Sequence, residues 1–398
     1  MAGEPLKVWH VITSTGVGGA ETQLLRLAQA LGPERVAHRV ACLLPLGALA
    51  GPLGATGAQV YSLNLQPGLG ALTRGAKALR RLLAAWPADL VQTWMYHADL
   101  LGLLASRPLT LPLVWTLRCS DLDLSRYRRS TRLVLKACTA LAHLPQPRVI
   151  VANSQSGLDF HVRLGYPRRK LRLIPNGFDT DLFAPGPAEG ARRRAALGWG
   201  PDDLVVGHVA RLDPAKDHAG FLTAARLLAG RLPAARFLLI GQGVEQGNPL
   251  FAACQEPPLA GRCALLGRRD DVPAWLQAMD VFAQSSLSEG LPNALGEALA
   301  SGLPVAATAA GDTAALVGPA GRVVPPGQPY ALAEALEQLL RLPERERQAL
   351  GLLGRQRMEQ GYSLAAMAGA YLELYQEMAG RPAAAGGKGP GGAAPAKE

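Results

Sequence analysis

The sequence predicts an α/β chain of two Rossmann-like domains, each a parallel sheet wrapped by helices, with the two sheets facing an interdomain cleft. Two observations carry this. Short apolar runs alternate with amphipathic segments, the pattern of successive βα units. The alternation is interrupted at Pro185, Gly186 and Pro187 and then begins again, so the architecture is duplicated, with a hinge expected near 184–190. A length of 398 residues, 48% of them hydrophobic, supports two packed cores.

In chain order, KVWHVI (7–12), RVACLL (39–44), QVYSLNL (59–65), DLVQTW (89–94), LVWTLR (113–118) and RVIVAN (148–153) read as strands of a first domain, 1–184. Helices fit at 21–31, 72–86 and 127–142. The second domain, 185–361, runs through DLVVGHVA (203–210), ARFLLIG (235–241), CALLG (263–267), VFAQSS (281–286), PVAAT (304–308) and GRVVPP (321–326). Its helices fit at 218–232, 272–279, 295–301, 332–342 and 345–360. A final helix within 362–379 places Leu364, Met367, Tyr371, Leu374, Tyr375 and Met378 on one face. The tail from 380 to 398 has no core-forming residues and reads as disordered.

Composition narrows the class. Cys42, Cys119, Cys138, Cys254 and Cys263 form no CxxC pair, and an odd count suggests reduced thiols and a cytoplasmic address. The N-terminus lacks the pattern of a signal peptide, because Glu4 comes early and VWHVI is short. No charge occurs from Val40 to Thr73, yet Pro45, Gly47, Gly51, Pro52 and further breakers divide the stretch into short elements rather than a membrane span. The net charge of +10 is uneven. Residues 1–185 hold 21 Lys+Arg against 10 Asp+Glu, and residues 186–398 hold 20 against 21. This points to an anionic partner for the first half, nucleic acid or an anionic membrane surface. Arg126, Arg128, Arg129, Arg132 and Lys136, with Leu133, Val134 and Leu135 among them, read as a surface-binding helix. No nucleic-acid-binding motif accompanies the charge and aromatics are sparse, which disfavours nucleic acid.

Doubly wound sheets bind ligands beyond the carboxyl ends of their strands, so the informative residues are those just after each strand. TSTGVGGAETQ follows the first strand and opens a helix. Its glycines permit close backbone approach and the helix N-terminus favours an anion. A dinucleotide fingerprint fails here: Glu21 stands where the last Gly or Ala is needed, and no acidic residue lies between Glu34 and Asp89. This disfavours a nicotinamide oxidoreductase. In VGHVARLDPAKD, Arg211 and Lys216 flank a turn after a strand, a pair of cations suited to a diphosphate. In SSLSEGLPNALGEALASGLPV, Glu289 follows a strand and Glu297 lies on the next helix. Carboxylates there can accept hydrogen bonds from vicinal hydroxyls, and the helix amides suit a phosphate.

GGAE (18–21), ARLDPAKD (210–217) and the pair Glu289 and Glu297, in this order and placement, resemble the retaining glycosyltransferases of family 4, which have the GT-B fold. PNGFDTDLF (175–183), LLGRRDDV (265–272) and EALASGLPV (297–305) are similar to that family as well, and the resemblance covers residues 6–378. It implies that Gly18 and Gly19 approach the donor diphosphate and sugar. By the same resemblance Arg211 and Lys216 neutralise the diphosphate, Glu297 holds the ribose and Glu289 the sugar. The amides of Leu291, Asn293 and Ala294 reach sugar or phosphate, and Arg268 lies near the base. His97, alone a histidine of structural type, becomes in the family's pattern the residue facing the transferred sugar. Arg118, after a strand, is a candidate for binding an anionic acceptor or a donor phosphate. The final helix is expected to cross back to the first domain. Gln242 in GQG (241–243) departs from the acidic residue common in the family, so no acidic role is expected there. Two D-x-D strings, Asp121 with Asp123 and Asp179 with Asp181, read as capping elements.

The resemblance implies transfer of a hexose from a nucleoside diphosphate, UDP favoured and GDP possible, to a glycan or lipid-linked acceptor hydroxyl, with retention and without cofactor or metal. A sugar-nucleotide 2-epimerase of the same fold is the alternative.

Overall fold

The computed structural model describes residues 4–66, 70–120 and 129–382. The chain divides into two compact units, one of residues 1–177 and 364–398, the other of residues 178–363.

The first unit contains β1 (Leu6–Ile12), α1 (Gly19–Leu31), β2 (Val36–Cys42), α2 (Ala50–Ala55), β3 (Gln59–Ser62), α3 (Ala71–Ala85) and β4 (Leu90–Trp94). It continues with α4 (Tyr96–Ser106), β5 (Leu113–Leu117), α5 (Arg129–Leu141), β6 (Val149–Ala152), α6 (Gln155–Arg163) and β7 (Leu171–Leu173). The seven strands form one parallel sheet in the order β3-β2-β1-β4-β5-β6-β7. Both faces are covered, which is why the strands read as nearly continuous apolar runs. Trp9, Val11, Val91, Trp115 and Ile150 face α3, α4 and α5. The alternate residues Val8, Ile12, Val40, Trp94 and Val114 face α1 and the last helix of the chain.

The second unit contains α7 (Pro187–Ala196), β8 (Leu204–Val209), α8 (His218–Arg231), β9 (Ala235–Ile240), β10 (Cys263–Leu265), α9 (Val272–Leu276) and β11 (Val281–Gln284). Then follow α10 (Asn293–Ala300), β12 (Val305–Thr308), α11 (Thr313–Val317), β13 (Gly321–Val324), α12 (Pro329–Leu340) and α13 (Glu344–Gly361). Its parallel sheet has the order β10-β9-β8-β11-β12-β13. Val205, Leu238, Phe282 and Val305 pack towards α10 and α13, and Val206, Phe237, Val281 and Ala306 towards α8 and α12.

The units divide at Gly177 and Phe178, several residues before the breakers at 185–187. The reason is burial. Phe178 is fully enclosed beneath α10, where a Cβ on Gly296 would collide with its ring, and its amide donates to Tyr362 O at 2.8 Å. Pro187 does not interrupt the chain but opens α7, where a missing N–H costs nothing. The last helix, α14 (Leu364–Ala379), buries Tyr371, Leu374 and Tyr375 against the first sheet beside α1. Beyond it, Arg381 still bonds Glu4 O at 2.7 Å, and residues 383–398 lie outside the described ones. The uncharged stretch from 40 to 73 is spent on β2, α2, β3 and the start of α3, with 67–69 outside the described residues. No described helix is long and apolar enough to cross a membrane.

Candidate active site

The second sheet reverses direction of winding between β8 and β11, which places its ligand crevice beyond those two strands. The loops that follow them are tied together: Leu287 N donates to Ala215 O at 2.8 Å and Ser285 Oγ to Lys216 O at 2.7 Å. Asp213 caps the short turn Pro214–Lys216 through Ala215 N, and Asp217, left-handed at φ 48°, caps α8 through Gly220 N. Lys216 is thereby held with its Nζ 2.6 Å from Glu289 Oε1, an oxygen that also accepts from Ser286 Oγ at 2.7 Å. The two charged side chains are only 23% and 11% exposed. They line a cavity of about 30 Å³ with Ser286, Asn293, Ala294 and His208. Asn293 opens α10 behind Pro292, so the N-terminal end of that helix lies at the same place. The Glu289 turn is braced from behind: Asp312 N donates to Gly290 O at 3.0 Å, and Gly311, at φ 57°, leaves no room for a Cβ against that backbone.

Lys216, Glu289, Asn293 and Ala294 therefore meet. Four other expected residues of this unit do not line the cavity. Arg211 is 63% exposed and pairs with Asp213 at 2.7 Å rather than sharing a partner with Lys216. Arg268 pairs with Asp270 at 3.3 Å at the surface. The Leu291 side chain is buried, leaving its backbone as the group it can offer, and Glu297 is half-buried further along α10. Gln242 acts through its carbonyl, which accepts from Leu212 N at 2.8 Å. Gly243 is required beside it, because at φ 83° a Cβ would stand 2.8 Å from Leu212 Cβ. Sequence reading missed two cavity residues. Ser286 had a signal in the Ser-Ser pair closing β11. His208, inside an apolar run, had none; burial holds its pKa well below the usual range, with His218 and Lys216 adding to the effect.

In the first unit the winding reverses between β1 and β4. Gly18 and Gly19 form the start of α1 just past β1, and the Glu21 carboxylate folds back over Gly18 into the space a side chain there would need. Burial raises the Glu21 pKa, opposed by the charge of Arg118. His97 is the second residue of α4, just past β4; its side chain reaches the surface, yet desolvation by the surrounding protein lowers its pKa. Arg118 follows β5 and is half-buried. Its guanidinium lies 5.7 Å from the Trp94 ring centroid and donates to Asn176 Oδ1, which also accepts from Asn153 Nδ2 at 3.2 Å. Burial lowers the Arg118 pKa to about 10, so it remains charged at neutral pH. Asn153 and Asn176, at the ends of β6 and of the segment after β7, join this cluster and were not foreseen.

Asp179 Oδ1 accepts from Asp181 N at 3.1 Å and Leu182 N at 2.9 Å, a turn-capping arrangement. Among the described residues no group of three or more His, Cys, Asp and Glu side chains could hold a metal ion. Asp121, Asp123, Arg126 and Arg128 lie outside the described residues. On α5, Arg129, Arg132 and Lys136 ring an open pocket of about 720 Å³ floored by Leu135, Ala140 and Leu164, beside Leu133, which is 67% exposed.

Two doubly wound parallel sheets, one with a cation, a carboxylate and a helix N-terminus at its reversal point, define an α/β protein of two Rossmann-like units. The profile of glycosyltransferase family 4 matches residues 17–182, and that of the glycosyl transferases group 1 matches residues 203–342. A 2-deoxystreptamine glucosyltransferase of Streptomyces kanamyceticus is 30% identical over 291 residues, 68% of this chain and 72% of that one. The chain belongs to glycosyltransferase family 4. An Escherichia coli UDP-Gal:alpha-D-GlcNAc-diphosphoundecaprenol alpha-1,3-galactosyltransferase is 31% identical over 230 residues, 57% of this chain but 59% of the relative's own length. The crystal structure of Anabaena HepE in complex with UDP matches 94% of this chain and all of that one, at 25% identity and a TM-score of 0.81. The lipopolysaccharide glycosyltransferase WaaG, at 16% identity and a TM-score of 0.72 over 93% of this chain and 99% of its own, shares the fold, which is GT-B.

Proposed function

We propose that the protein transfers a hexose from a UDP-sugar to an acceptor hydroxyl with retention of configuration and without a metal ion. The observation that carries this is the Lys216–Glu289 pair at the reversal point of the second sheet, under the N-terminus of α10. Breaking the anomeric C–O bond loads charge onto the departing diphosphate. Lys216, Arg211 and the amides of Leu291, Asn293 and Ala294 stabilise it, a preorganised electrostatic role. Glu289 accepts from sugar hydroxyls and Glu297 from the ribose. Arg268 flanks the base, Gly18 and Gly19 let the backbone approach the diphosphate and sugar, and His97 faces the transferred sugar. The acceptor attacks from the same face while the leaving phosphate takes its proton. The choice of UDP is supported by the UDP complex of HepE and by the UDP-galactose named for the E. coli relative.

That relative's name also supports a lipid-linked acceptor, and on this reading the protein works at the cytoplasmic face of a membrane. Arg118 is then the acceptor's anion contact, and the basic pocket on α5 meets the bilayer peripherally. Nothing among the relatives favours an epimerase. The test is nucleotide release: the purified protein with UDP-, GDP- and ADP-sugars in EDTA, with and without lipid-diphosphate acceptor. Acceptor-dependent release of UDP is expected; release of another nucleotide in preference refutes the donor assignment.

A further inference from the structure

Behind the turn that carries His97 runs a buried hydrogen-bond chain that touches neither of the positions assigned to donor or acceptor. It starts at Tyr96, a residue 4% exposed that immediately precedes His97. The Tyr96 hydroxyl lies 2.8 Å from His161 Nε2 and 2.9 Å from Cys119 Sγ. His161 Nδ1 lies 2.6 Å from Gly157 O, and a carbonyl can only accept, so Nδ1 carries the ring proton and Nε2 accepts from Tyr96. The Tyr96 oxygen in turn accepts from the Cys119 thiol. Burial lowers the His161 pKa to about 4, which keeps the ring a neutral acceptor at physiological pH. The Tyr96 carbonyl is held as well, accepting from Cys138 Sγ at 3.4 Å.

This chain has something to hold in place. Met95, the N-cap of α4, sits at φ 71° and ψ 159°, a conformation close to exclusive to glycine. Such a residue persists only where its surroundings over-determine it. Met95 N donates to Thr116 O at 3.0 Å and Asp99 N to Met95 O at 2.9 Å, which fixes the turn at β5 and within α4. Neither bond fixes the rotation of the first turn of α4 about its axis. Two side chains of that turn do: Asp99 accepts from Thr93 Oγ and ties the turn to β4, and Tyr96, the residue next to His97, links it to the segment after β5 through Cys119 and to α6 through His161, where Ser154 caps the helix at 3.0 Å. Neighbouring residues at a helix start point in different directions, so a Tyr96 locked inward sets where His97 points outward.

We propose that Tyr96 is the positioning residue for His97, acting through the Tyr96–His161 hydrogen bond. This rests on the reading that His97 faces the transferred sugar. The test is a double-mutant cycle of Y96F with H97A, followed by steady-state kinetics with a UDP-sugar and by melting temperature. Y96F is expected to lower kcat about tenfold, with KM for the donor within twofold, because a misdirected side chain is a geometric loss. In the H97A background Y96F is expected to change kcat less than twofold. An equal loss in both backgrounds overturns the positioning role and leaves the His97 reading standing. Full activity of H97A overturns the His97 reading, and the proposal with it. If Y96F does not fold, H161Q and H161L serve instead. The glutamine can accept from Tyr96 and donate to Gly157, so it is expected to keep several times the kcat of H161L, whereas equal activities overturn the proposal.

Discussion

Replacing Lys216 by methionine keeps the aliphatic stem and removes the charge. In the folded protein it breaks a 2.6 Å pair whose side chains are 23% and 11% exposed. Removing one partner of a fully buried pair costs ~3–5 kcal/mol. Here the remaining exposure and the Ser286 hydrogen bond to Glu289 lower that to about 2 kcal/mol, a fall in Tm of roughly 4–8 °C for a unit of this size. The effect on transfer is larger. Losing one preorganised donor to developing charge costs about 100- to 1,000-fold in kcat, which is about 3–4 kcal/mol. Glu289→Gln separates the two effects, since it breaks the same pair and leaves the ammonium. The assay is calorimetric UDP binding at low and high salt beside kcat from UDP release. Lys216→Met is expected to lose UDP affinity and its salt dependence, and Glu289→Gln to retain UDP while losing transfer. If Lys216→Met binds UDP within twofold of the parent protein and only Tm falls, the pair is structural and the diphosphate assignment is wrong.

Four further outcomes are expected. Burial raises the Asp99 pKa to about 8, so the folded chain keeps a proton that the unfolded chain releases near pH 4. That contribution is whole at low pH and is lost as pH rises towards 8; the Tm of Asp99→Asn relative to the parent should therefore climb from pH 5 to pH 8.5, and a flat difference contradicts it. Gly243→Ala forces a left-handed alanine against Leu212, costing about 1–2 kcal/mol and weakening UDP binding by displacing the neighbouring Arg211 loop; unchanged Tm and binding would disprove the close approach. The triple change R129E/R132E/K136E should abolish co-sedimentation with anionic vesicles and spare UDP release with a soluble acceptor; equal sedimentation of both proteins excludes the α5 surface. Transfer should be unchanged in EDTA, and its loss with restoration by Mg²⁺ or Mn²⁺ would end the metal-free reading.

What the sequence could reveal depended on whether a feature is local. Strands sandwiched between helix layers must be apolar throughout, so RVACLL and ARFLLIG were legible from composition alone. The edge strand β7 is three residues long, with Arg172 and Leu173 only partly covered, and left no such run. The second half of the site was legible because its residues follow strands in one short stretch each. In VFAQSSLSEGLPNALGE, the strand, the acid and the helix start come in order, and folding adds only the meeting with Lys216. The first half was less so. Arg118, Asn153 and Asn176 come from the ends of different strands, and nothing local in asparagine marks it as an arginine's partner. The boundary at Phe178 was likewise invisible, because it is set by a ring buried under Gly296, more than a hundred residues on. The breakers at 185–187 instead introduce α7 within the second unit.

The anomeric configuration of the product tests the account most directly. The protein would be given an α-linked UDP-hexose and a lipid-diphosphate sugar acceptor in EDTA, and the new linkage read by proton NMR from its anomeric coupling. An α-linked product, formed with one UDP released per transfer, is the result the account requires. A β-linked product, or no transfer from any UDP-sugar, would contradict same-face displacement at a diphosphate held by Lys216 and the start of α10.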